Sequence, residues 1–289
     1  MHVGIVTGFY VPHACPPAAE TDGPPAALLL AAALRAVDIR TTVITDEHCA
    51  SAVLAAADAT GVDRSDVVIA PHCDAHWLDD FFEKGTGASS SHLVAIERVG
   101  PGHTVDSVRN QRRDGAACPE SFVTQVPKES QNCCHNMRGE VIDRHTADLH
   151  RLFEEGPRHR AGLKTIGIGD GANEIGMGSI AWEDLVRRLP GDQAARIPCR
   201  IATDWTIVAG TSNWGGYALA AATLLLKGRE EVLRHCDADH ELRVLEHIVA
   251  NGPAVDGVTG RQEATVDGLP FLTYIQPWEG MRRQLGFTR

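Results

Sequence analysis

The chain has few of the features that mark several large classes of protein. Aromatic residues make up 5% of its 289 residues, and its eight cysteines are irregularly spaced. No two of them form a Cys-x-x-Cys pair, which argues against a structural zinc site. No export signal is found near the N terminus, so we expect reduced thiols in a cytoplasmic protein.

Long apolar runs and basic stretches are also missing. The longest apolar runs, residues 26–34 and 217–226, are about half of the ~20 residues that a membrane-spanning helix needs. Acidic residues outnumber basic ones by 38 to 27, which gives a formal net charge of −11. Because a phosphate backbone or an anionic membrane requires a basic surface, we expect neither as a partner. The expected partner is a small molecule.

The sequence does contain a regular alternation of strands and helices. Residues 2–7 (HVGIVT), 41–45 (TTVIT) and 66–70 (DVVIA) are short runs rich in β-branched residues, and Ala- and Leu-rich stretches separate them. Such strands are typical of a parallel sheet covered on both faces. We predict an α/β fold with a largely parallel sheet and helices on both faces, a Rossmann-like three-layer architecture. We expect one domain over residues 1–289, and a homo-oligomer is compatible with it.

One segment breaks this alternation. Residues 101–135 are rich in Pro, Gly, Ser, Asn, Gln and charged residues, and they show little periodicity. A connection of this length is more often a functional loop than a simple link. We predict an inserted loop or lid, either mobile or folded over a substrate cavity.

The richest candidate site is a glycine-rich stretch. Residues 167–178 (GIGDGANEIGMG) follow a predicted strand at 164–168 and overlap the start of a predicted helix at 174–189. Glycines allow backbone N–H groups to approach an anion, and a helix start would add partial positive charge. Asp170 and Glu174, however, favour a cation or an ammonium group over a phosphate. The alternative is a structural turn in which Asp170 only holds the loop backbone.

Other strand ends carry further candidates. Asp22 precedes a proline-rich helix start, where it is a helix cap, a ligand or both. Ser212 and Asn213 allow the same interpretations. Arg98 and Arg138 offer two guanidinium groups that can hold a carboxylate. Either arginine alone can equally be a surface or ion-pair residue.

Two remaining groups carry a weaker signal. His72 and His76 stand four residues apart and can bind a metal if they share a helix face, although no third ligand is nearby. Cys133 and Cys134, followed by His135, are nucleophilic groups, metal ligands or unassigned thiols. No Gly-x-Ser-x-Gly motif is present, which argues against an ordinary serine hydrolase.

Five strings of residues, spread over nearly the whole chain, carry a family resemblance. They are 20–25 (ETDGPP), 95–98 (AIER), 169–178 (GDGANEIGMG), 212–219 (SNWGGYAL) and 266–271 (VDGLPF). On these strings the chain resembles the D-glutamate cyclase family, which forms the C-terminal part of mitochondrial D-glutamate cyclases and also occurs as stand-alone bacterial proteins. The third and fourth strings are unusual enough to argue against chance agreement.

The chain departs from the family pattern in two places. The family passes from the Glu-Arg pair to the Asn-x-Arg element through a shorter connection than residues 101–135. Ahead of the fourth string, Asp204 is kept, but Arg200 and Ala202 stand where acidic residues are expected in the mitochondrial type. The first departure allows a substrate that differs from that of the family. The second argues against a set of metal or substrate ligands identical to that of the mitochondrial type.

The resemblance implies a hydro-lyase that cyclises D-glutamate, or a related amino acid, to 5-oxo-D-proline or an analogous lactam. The α-amine attacks the γ-carboxylate and water leaves. This reaction requires a deprotonated amine, a polarised carboxylate and a substrate held in a folded conformation. A divalent metal, Mg or Mn, is compatible with it, and no organic cofactor is expected.

The same resemblance distributes the candidate residues over three roles. The expected catalytic residues are Asp22, Asp170, Asn173 and Glu174. The expected metal ligands are Asp22, Asp170, Glu174 and Asp204. The expected substrate contacts are Glu97, Arg98, Asn136, Arg138, Gly169, Gly171, Ser212 and Asn213. We expect these residues to converge on one cavity at the carboxyl ends of the strands, where the two arginines hold the α-carboxylate.

Two other functions remain open from the sequence. One is an enzyme of the same fold that forms or hydrolyses a lactam on a different substrate. The other is a non-catalytic protein whose glycine loop binds an amino acid or another anion. Several acidic residues beside flexible glycines favour an enzyme, because a pocket built only to bind a carboxylate would not collect them.

Overall fold

The computed structural model describes residues 1–74, 76–111 and 117–287. The strands are β1 (His2–Thr7), β2 (Tyr10–Val11), β3 (Ala18–Ala19), β4 (Arg40–Asp46), β5 (Val67–Ala70), β6 (His92–Ile96), β7 (Lys164–Gly169) and β8 (Trp205–Val208). The α-helices are α1 (Pro24–Arg35), α2 (Ala50–Thr60), α3 (Trp77–Glu83), α4 (Val105–Gln111), α5 (Glu120–Gln125), α6 (Arg151–His159), α7 (Trp182–Val186), α8 (Ser212–Lys227), α9 (Ala238–Asn251), α10 (Phe271–Tyr274) and α11 (Gln276–Gln284). Turns of 3₁₀ helix lie between them at Arg64–Asp66, Thr86–Ser89, Lys128–Ser130, Asp143–His145, Ala194–Arg196 and Glu230–His235.

Six of these strands form one parallel sheet, in the order β5-β4-β1-β6-β7-β8. The chain begins in the middle of the sheet, adds strands to one side, then crosses back and adds strands to the other side. The direction of winding reverses between β1 and β6. In doubly wound sheets the ligand crevice lies at that point, outside the carboxyl ends of the strands. The predicted α/β fold with a largely parallel sheet is confirmed.

Helices cover both faces of the sheet, and alternate residues of a strand enter different cores. In β6, Val94 and Ile96 pack in the core formed with α1, α2, α8 and α9, whereas Leu93 and Ala95 pack in the core formed with α3 and α6. All six residues of β1 are buried for the same reason. The two longest apolar runs of the sequence lie in α1 and α8. No described helix is long and apolar enough to cross a membrane.

The predicted helix at 174–189 is wrong. After Glu174 the chain continues as an irregular loop, and the described helix there is Trp182–Val186. Gly176 has a left-handed φ of 109°, and a Cβ atom at Gly167 would lie 2.5 Å from its Cα. The loop backbone therefore lies directly on β7. As a result, no helix begins at the glycine loop, and the partial positive charge expected there is missing.

The segment 101–135 contains α4 and α5, and residues 112–116 of it lie outside the described residues. Its two ends are joined by a bridge between Pro101 and Cys134. Val108 and Phe122 pack with Trp182 in a small apolar cluster. The described part of the segment is thus anchored beside α7.

A buried carboxyl group in α9 contacts α8. Glu241 is 2% exposed, and the Tyr217 hydroxyl donates a hydrogen bond to it at 2.7 Å. The hydroxyl of Tyr274 lies 3.1 Å from that of Tyr217. Burial raises the pKa of Glu241 to about 7, although the Tyr217 hydrogen bond acts in the opposite direction. The folded protein therefore keeps Glu241 protonated at pH values where the unfolded chain has lost that proton.

Replacing Glu241 with Gln should change how stability depends on pH. In the wild type, the stability that this proton contributes is fully present below the ordinary pKa of a glutamate and is lost as pH rises through about 7. As pH rises from about 5 to about 8, the unfolding free energy of Glu241→Gln minus that of the wild type should increase by on the order of 3 kcal/mol. Urea denaturation at several pH values measures the difference.

The matched control is Glu246→Gln, since Glu246 is an exposed residue of the same helix. It should follow the wild type at every pH. An equal pH trend in both variants contradicts the account.

Candidate functional site

A cavity of about 240 Å³ lies at the carboxyl ends of β1, β6 and β7, where the winding of the sheet reverses. It is lined by Phe9, Val11, His13, Glu20, Glu97, Asn136, Met137, Arg138, Asp170, Asn173, Glu174, Gly257, Val258 and Asp267. A larger cavity of about 400 Å³ lies beside His72. Its acidic lining residues, Asp74 and Asp148, are exposed. The smaller cavity is distinguished by its buried carboxyl groups.

Helices α1 and α8 start next to this cavity. Asp22, which precedes α1, caps α8, and Asn213, in the first turn of α8, caps α1. The Asp22 carboxylate accepts hydrogen bonds from the backbone N–H groups of Ser212 and Asn213, both at 2.8 Å. In return, the side-chain oxygen of Asn213 accepts from the N–H groups of Gly23 at 3.0 Å and Ala26 at 3.1 Å. These contacts satisfy backbone donors that a helix start would otherwise leave free. They hold the starts of α1 and α8 together.

This arrangement decides between the two interpretations of Asn213. Its amide nitrogen donates to the Thr21 carbonyl at 3.2 Å, so both ends of the side chain are already bonded within the protein. Asn213 is fully buried and does not line the cavity. It is a structural cap, and the expected substrate contact is wrong.

Ser212 is likewise engaged below the cavity. Its hydroxyl donates to the Glu97 carboxyl group at 2.6 Å. Glu97 has a left-handed φ of 47°, a conformation that costs energy for a residue with a side chain. The hydrogen bond orients the Glu97 side chain. Ser212 itself does not line the cavity, so its contribution is to position Glu97.

The glycine loop places three polar side chains beside one another. One carboxylate oxygen of Glu174, Oε1, accepts from the N–H groups of Gly171 at 2.7 Å and Asp170 at 3.3 Å. The Asn173 amide donates to the His135 carbonyl at 2.8 Å. A Cβ atom at Gly169 or Gly171 would lie 2.9 Å from an atom of Glu174. Both glycines are therefore required by the close approach of Glu174.

Six carboxyl groups meet at this cavity. They are Glu20, Asp22, Glu97, Asp170, Glu174 and Asp267. Ligand oxygens of Asp22, Asp170 and Asp267 all lie within 4.8 Å of one another, and so do those of Glu97, Asp170 and Glu174. Asp170 belongs to both groups. These are the two sets of described residues that can hold a metal ion, and neither contains His or Cys.

Burial and mutual repulsion hold protons on this cluster. Burial, with the Asp22 charge next in importance, raises the pKa of Asp170 to about 7. Burial and the Asp170 charge raise that of Glu174 to about 8. Burial raises the pKa of Asp22 to about 6, although the N–H groups of Asn213 and Ser212 lower it. In the absence of a cation, much of the cluster is neutral near pH 7.

Two members of the cluster were not predicted. Burial raises the pKa of Asp267 to about 12, and that of Glu20 well above its usual range. Both residues lie in strings that carry the family resemblance, ETDGPP and VDGLPF, which was the available signal. Asp267 has a left-handed φ of 53° in the tight turn that presents it.

Arg98 does not face the cavity. It is 1% exposed and forms an ion pair of 2.6 Å with Asp46 at the end of β4. It also donates to the carbonyls of Gly8 at 3.0 Å and Ala147 at 2.8 Å, and to the Thr146 hydroxyl at 2.6 Å. The expected role of Arg98 as a carboxylate clamp is wrong, because its guanidinium group holds strand ends and a loop together.

Asp204 lies at the other edge of the sheet. It precedes β8 and accepts hydrogen bonds from the backbone N–H of Thr165 at 2.8 Å and the Thr165 hydroxyl at 3.0 Å. Lys164, the first residue of β7, lies 3.4 Å away. The amino ends of parallel strands meet at one edge and the carboxyl ends at the opposite edge. The expected place of Asp204 among the metal ligands is therefore wrong.

Arg138 is exposed and lines the cavity. Asn136 supports it, because the Asn136 side-chain oxygen accepts from the N–H groups of Arg138 and Glu140, both at 3.0 Å. The Asn136 amide nitrogen donates to the Glu140 carboxylate at 2.7 Å. Asn136 thus shapes the turn that carries Arg138 and contributes to the cavity wall.

The structure also bears on three weaker expectations. No described residue of 101–135 lines the cavity, and a cover formed by this segment stays a prediction. His72 and His76 precede α3 and do not share a helix face. Burial raises the pKa of the Cys134 thiol well above its usual range, which disfavours a nucleophilic thiolate.

The fold and the cavity define a doubly wound α/β protein with an acidic site where the winding of its sheet reverses. The chain belongs to the D-glutamate cyclase-like family. The sequence model of that family, described as "D-glutamate cyclase-like, C-terminal", matches residues 1–115 and 122–280. The family expected from the sequence is confirmed. Most of the segment 101–135 lies within the matched region.

A named relative supports the same family. Human mitochondrial D-glutamate cyclase is 31% identical to this chain over 232 residues, which are 77% of this chain and 32% of the human protein. The chain is thus similar to about a third of the length of that relative.

Removing the Asn213 cap should destabilise the protein. Asn213→Ala deletes three hydrogen bonds, removes the side-chain acceptor of the buried Ala26 N–H group and leaves the Gly23 N–H group with the Asp22 carboxylate alone. We expect the unfolding free energy to fall by on the order of 2 to 4 kcal/mol, as measured by urea denaturation. The control is Asn251→Ala at the exposed end of α9, which should change it by less than about 0.5 kcal/mol. Equal losses in the two variants contradict the capping role.

Proposed function

We propose that this protein is an enzyme that cyclises D-glutamate to 5-oxo-D-proline with loss of one water. The observation that carries the proposal is the cavity, which combines buried carboxyl groups with the exposed guanidinium group of Arg138. Membership of the D-glutamate cyclase-like family and the name of the human relative support the choice of substrate. A cytoplasmic location and a homo-oligomeric state stay predictions.

The atom balance of this reaction defines what the site must do. The substrate ammonium group loses two protons, its nitrogen forms a bond to the γ-carbon, and one oxygen leaves that carbon with both protons as water. No net proton is taken up or released. The site therefore needs a group that accepts a proton from nitrogen and delivers it to the leaving oxygen. It also needs a positive charge that polarises the γ-carboxylate, which is a poor electrophile.

The side chains at the cavity suit these tasks. Among the described residues that line it, Arg138 is the one arginine or lysine, and we assign it to the substrate α-carboxylate. Glu20 is buried, lines the cavity and has one oxygen, Oε1, without a hydrogen-bond partner among the described residues. It belongs to neither metal-capable group, so we assign the proton transfer to it. A divalent cation, Mg or Mn, on the Asp170 side of the cavity would supply Lewis acidity when bound.

A panel of amino acids tests the reaction directly. We expect mass spectrometry to detect loss of one water from D-glutamate on incubation with the purified protein. Loss of water from another amino acid instead would keep the reaction class and change the substrate. Gain of water by a lactam would indicate hydrolysis. Binding of D-glutamate without conversion would support a non-catalytic protein.

Asp170→Asn should lower kcat on the order of 10² to 10⁴-fold, because the substitution keeps the size of the side chain and removes its charge from both carboxylate groups. The matched control is Asp204→Asn, the same change at the opposite edge of the sheet, which should keep wild-type turnover. Full activity of Asp170→Asn would remove this residue from the catalytic assignment.

Arg138→Gln should separate binding from chemistry. If the guanidinium group holds the α-carboxylate in the ground state and the transition state alike, its loss should raise KM by about 10-fold or more and leave kcat nearly unchanged. Steady-state kinetics with D-glutamate measure both constants. Arg144→Gln, at another exposed arginine that does not line the cavity, is the control. An unchanged KM in Arg138→Gln contradicts the assignment.

A further inference from the structure

We propose that the acidic cavity binds two divalent cations, with the Asp170 carboxylate as the ligand between them. One cation would lie between Asp170, Asp22 and Asp267, and the other between Asp170, Glu97 and Glu174. The inference deepens the proposed function and rests on it for the use of the cations in catalysis. The binding itself is measured without substrate.

The spacing of the carboxylate oxygens matches two coordination spheres. Oxygens on opposite sides of Mg²⁺, Mn²⁺ or Ca²⁺ lie about 4 to 5 Å apart, since each lies about 2.0 to 2.6 Å from the cation. Within each group the ligand oxygens lie within 4.8 Å of one another. Each group therefore has the dimensions of one cation site. Because Asp170 has two oxygens and belongs to both groups, it can serve a pair of cations about 3.5 to 4 Å apart.

Two buried oxygens, one in each group, accept no hydrogen bond within the described chain and are available to a cation. Glu174 is 1% exposed, and while its Oε1 accepts two backbone hydrogen bonds, its Oε2 has no partner among the described residues. Asp267 also has a buried oxygen, Oδ2, with no partner in the described chain. A buried carboxylate oxygen without a hydrogen-bond donor costs free energy unless a cation or a proton satisfies it. There is one such oxygen in each group.

The protein supplies too little positive charge to hold these groups in their ionised form. Five carboxylates belong to the two groups, and Arg138 is the one arginine or lysine among the described lining residues. The buried guanidinium group of Arg98 is already paired with Asp46. Two divalent cations would compensate four of the five negative charges. Ligand sets made only of carboxylates favour hard cations such as Mg²⁺ and Mn²⁺ over Zn²⁺ or Cu²⁺.

Manganese binding tests the pair directly. Protein treated with a chelator and then dialysed is titrated with Mn²⁺ in a calorimeter, and its electron paramagnetic resonance spectrum is recorded. We expect two Mn²⁺ ions per wild-type chain and a spectrum with spin coupling between them. Asp267→Asn and Glu174→Gln should each bind one Mn²⁺ without spin coupling. Asp170→Asn should weaken both sites by at least about 10-fold.

Two controls keep the result interpretable. Asp204→Asn should bind two Mn²⁺ ions as the wild type does, and circular dichroism checks that each variant is folded. Where Glu174→Gln fails to fold, Glu97→Gln tests the same site. Binding of a single Mn²⁺ by the wild type, or of two by Asp267→Asn, would overturn the pair.

The outcomes also separate this inference from the proposed function. Turnover of D-glutamate by protein that holds one cation keeps the function and removes the pair. Two bound cations with no turnover of any amino acid keep the pair and remove the function.

Discussion

Carboxyl groups buried side by side repel one another when ionised, and this repulsion shapes the site in this protein. Six of them meet at one cavity, and their pKa values rise because burial and neighbouring charges disfavour ionisation. A fold that gathers such groups must hold them in place against the repulsion. The surrounding backbone does this with hydrogen bonds from N–H groups, as at Asp22 and Glu174.

The doubly wound sheet explains how residues far apart in sequence reach this cavity. Glu97 and Asp170 directly follow β6 and β7, and Asp22 lies in the connection from β1 to α1; the carboxyl ends of these three strands meet where the winding reverses. The reciprocal caps of Asp22 and Asn213 then fix the starts of α1 and α8 against each other. Asp22 has two tasks, since it caps α8 and also contacts Asp170 in the carboxyl cluster. Substitution of Asp22 would therefore alter stability and the site together, which is why Asn213 is the cleaner position for testing the caps.

The fold and much of the site could be predicted from local sequence. Strand β1 lies where its apolar run predicts it, and Asp170 and Glu174 lie in the cavity that the glycine-rich string indicates. Long-range pairing could not be predicted. The partner of Arg98 is Asp46 on another strand, and nothing near Arg98 in the sequence signals a buried ion pair. The helix expected after Glu174 fails because the loop packs on the β7 backbone, a tertiary contact that overrides local propensity.

The central claim is that this carboxyl cluster is a site for cations, and thermal unfolding at neutral pH tests it most directly. Protein freed of metal should unfold at a temperature higher by roughly 5 °C for each bound cation when Mn²⁺ is present at about a hundredfold excess over its Kd, because ligand that binds only the folded state stabilises it. Asp170→Asn should show at most about half of this rise, since its sites are at least about 10-fold weaker, and Asp204→Asn should show all of it. An unchanged unfolding temperature of the wild type, or an equal rise in Asp170→Asn, would contradict the account.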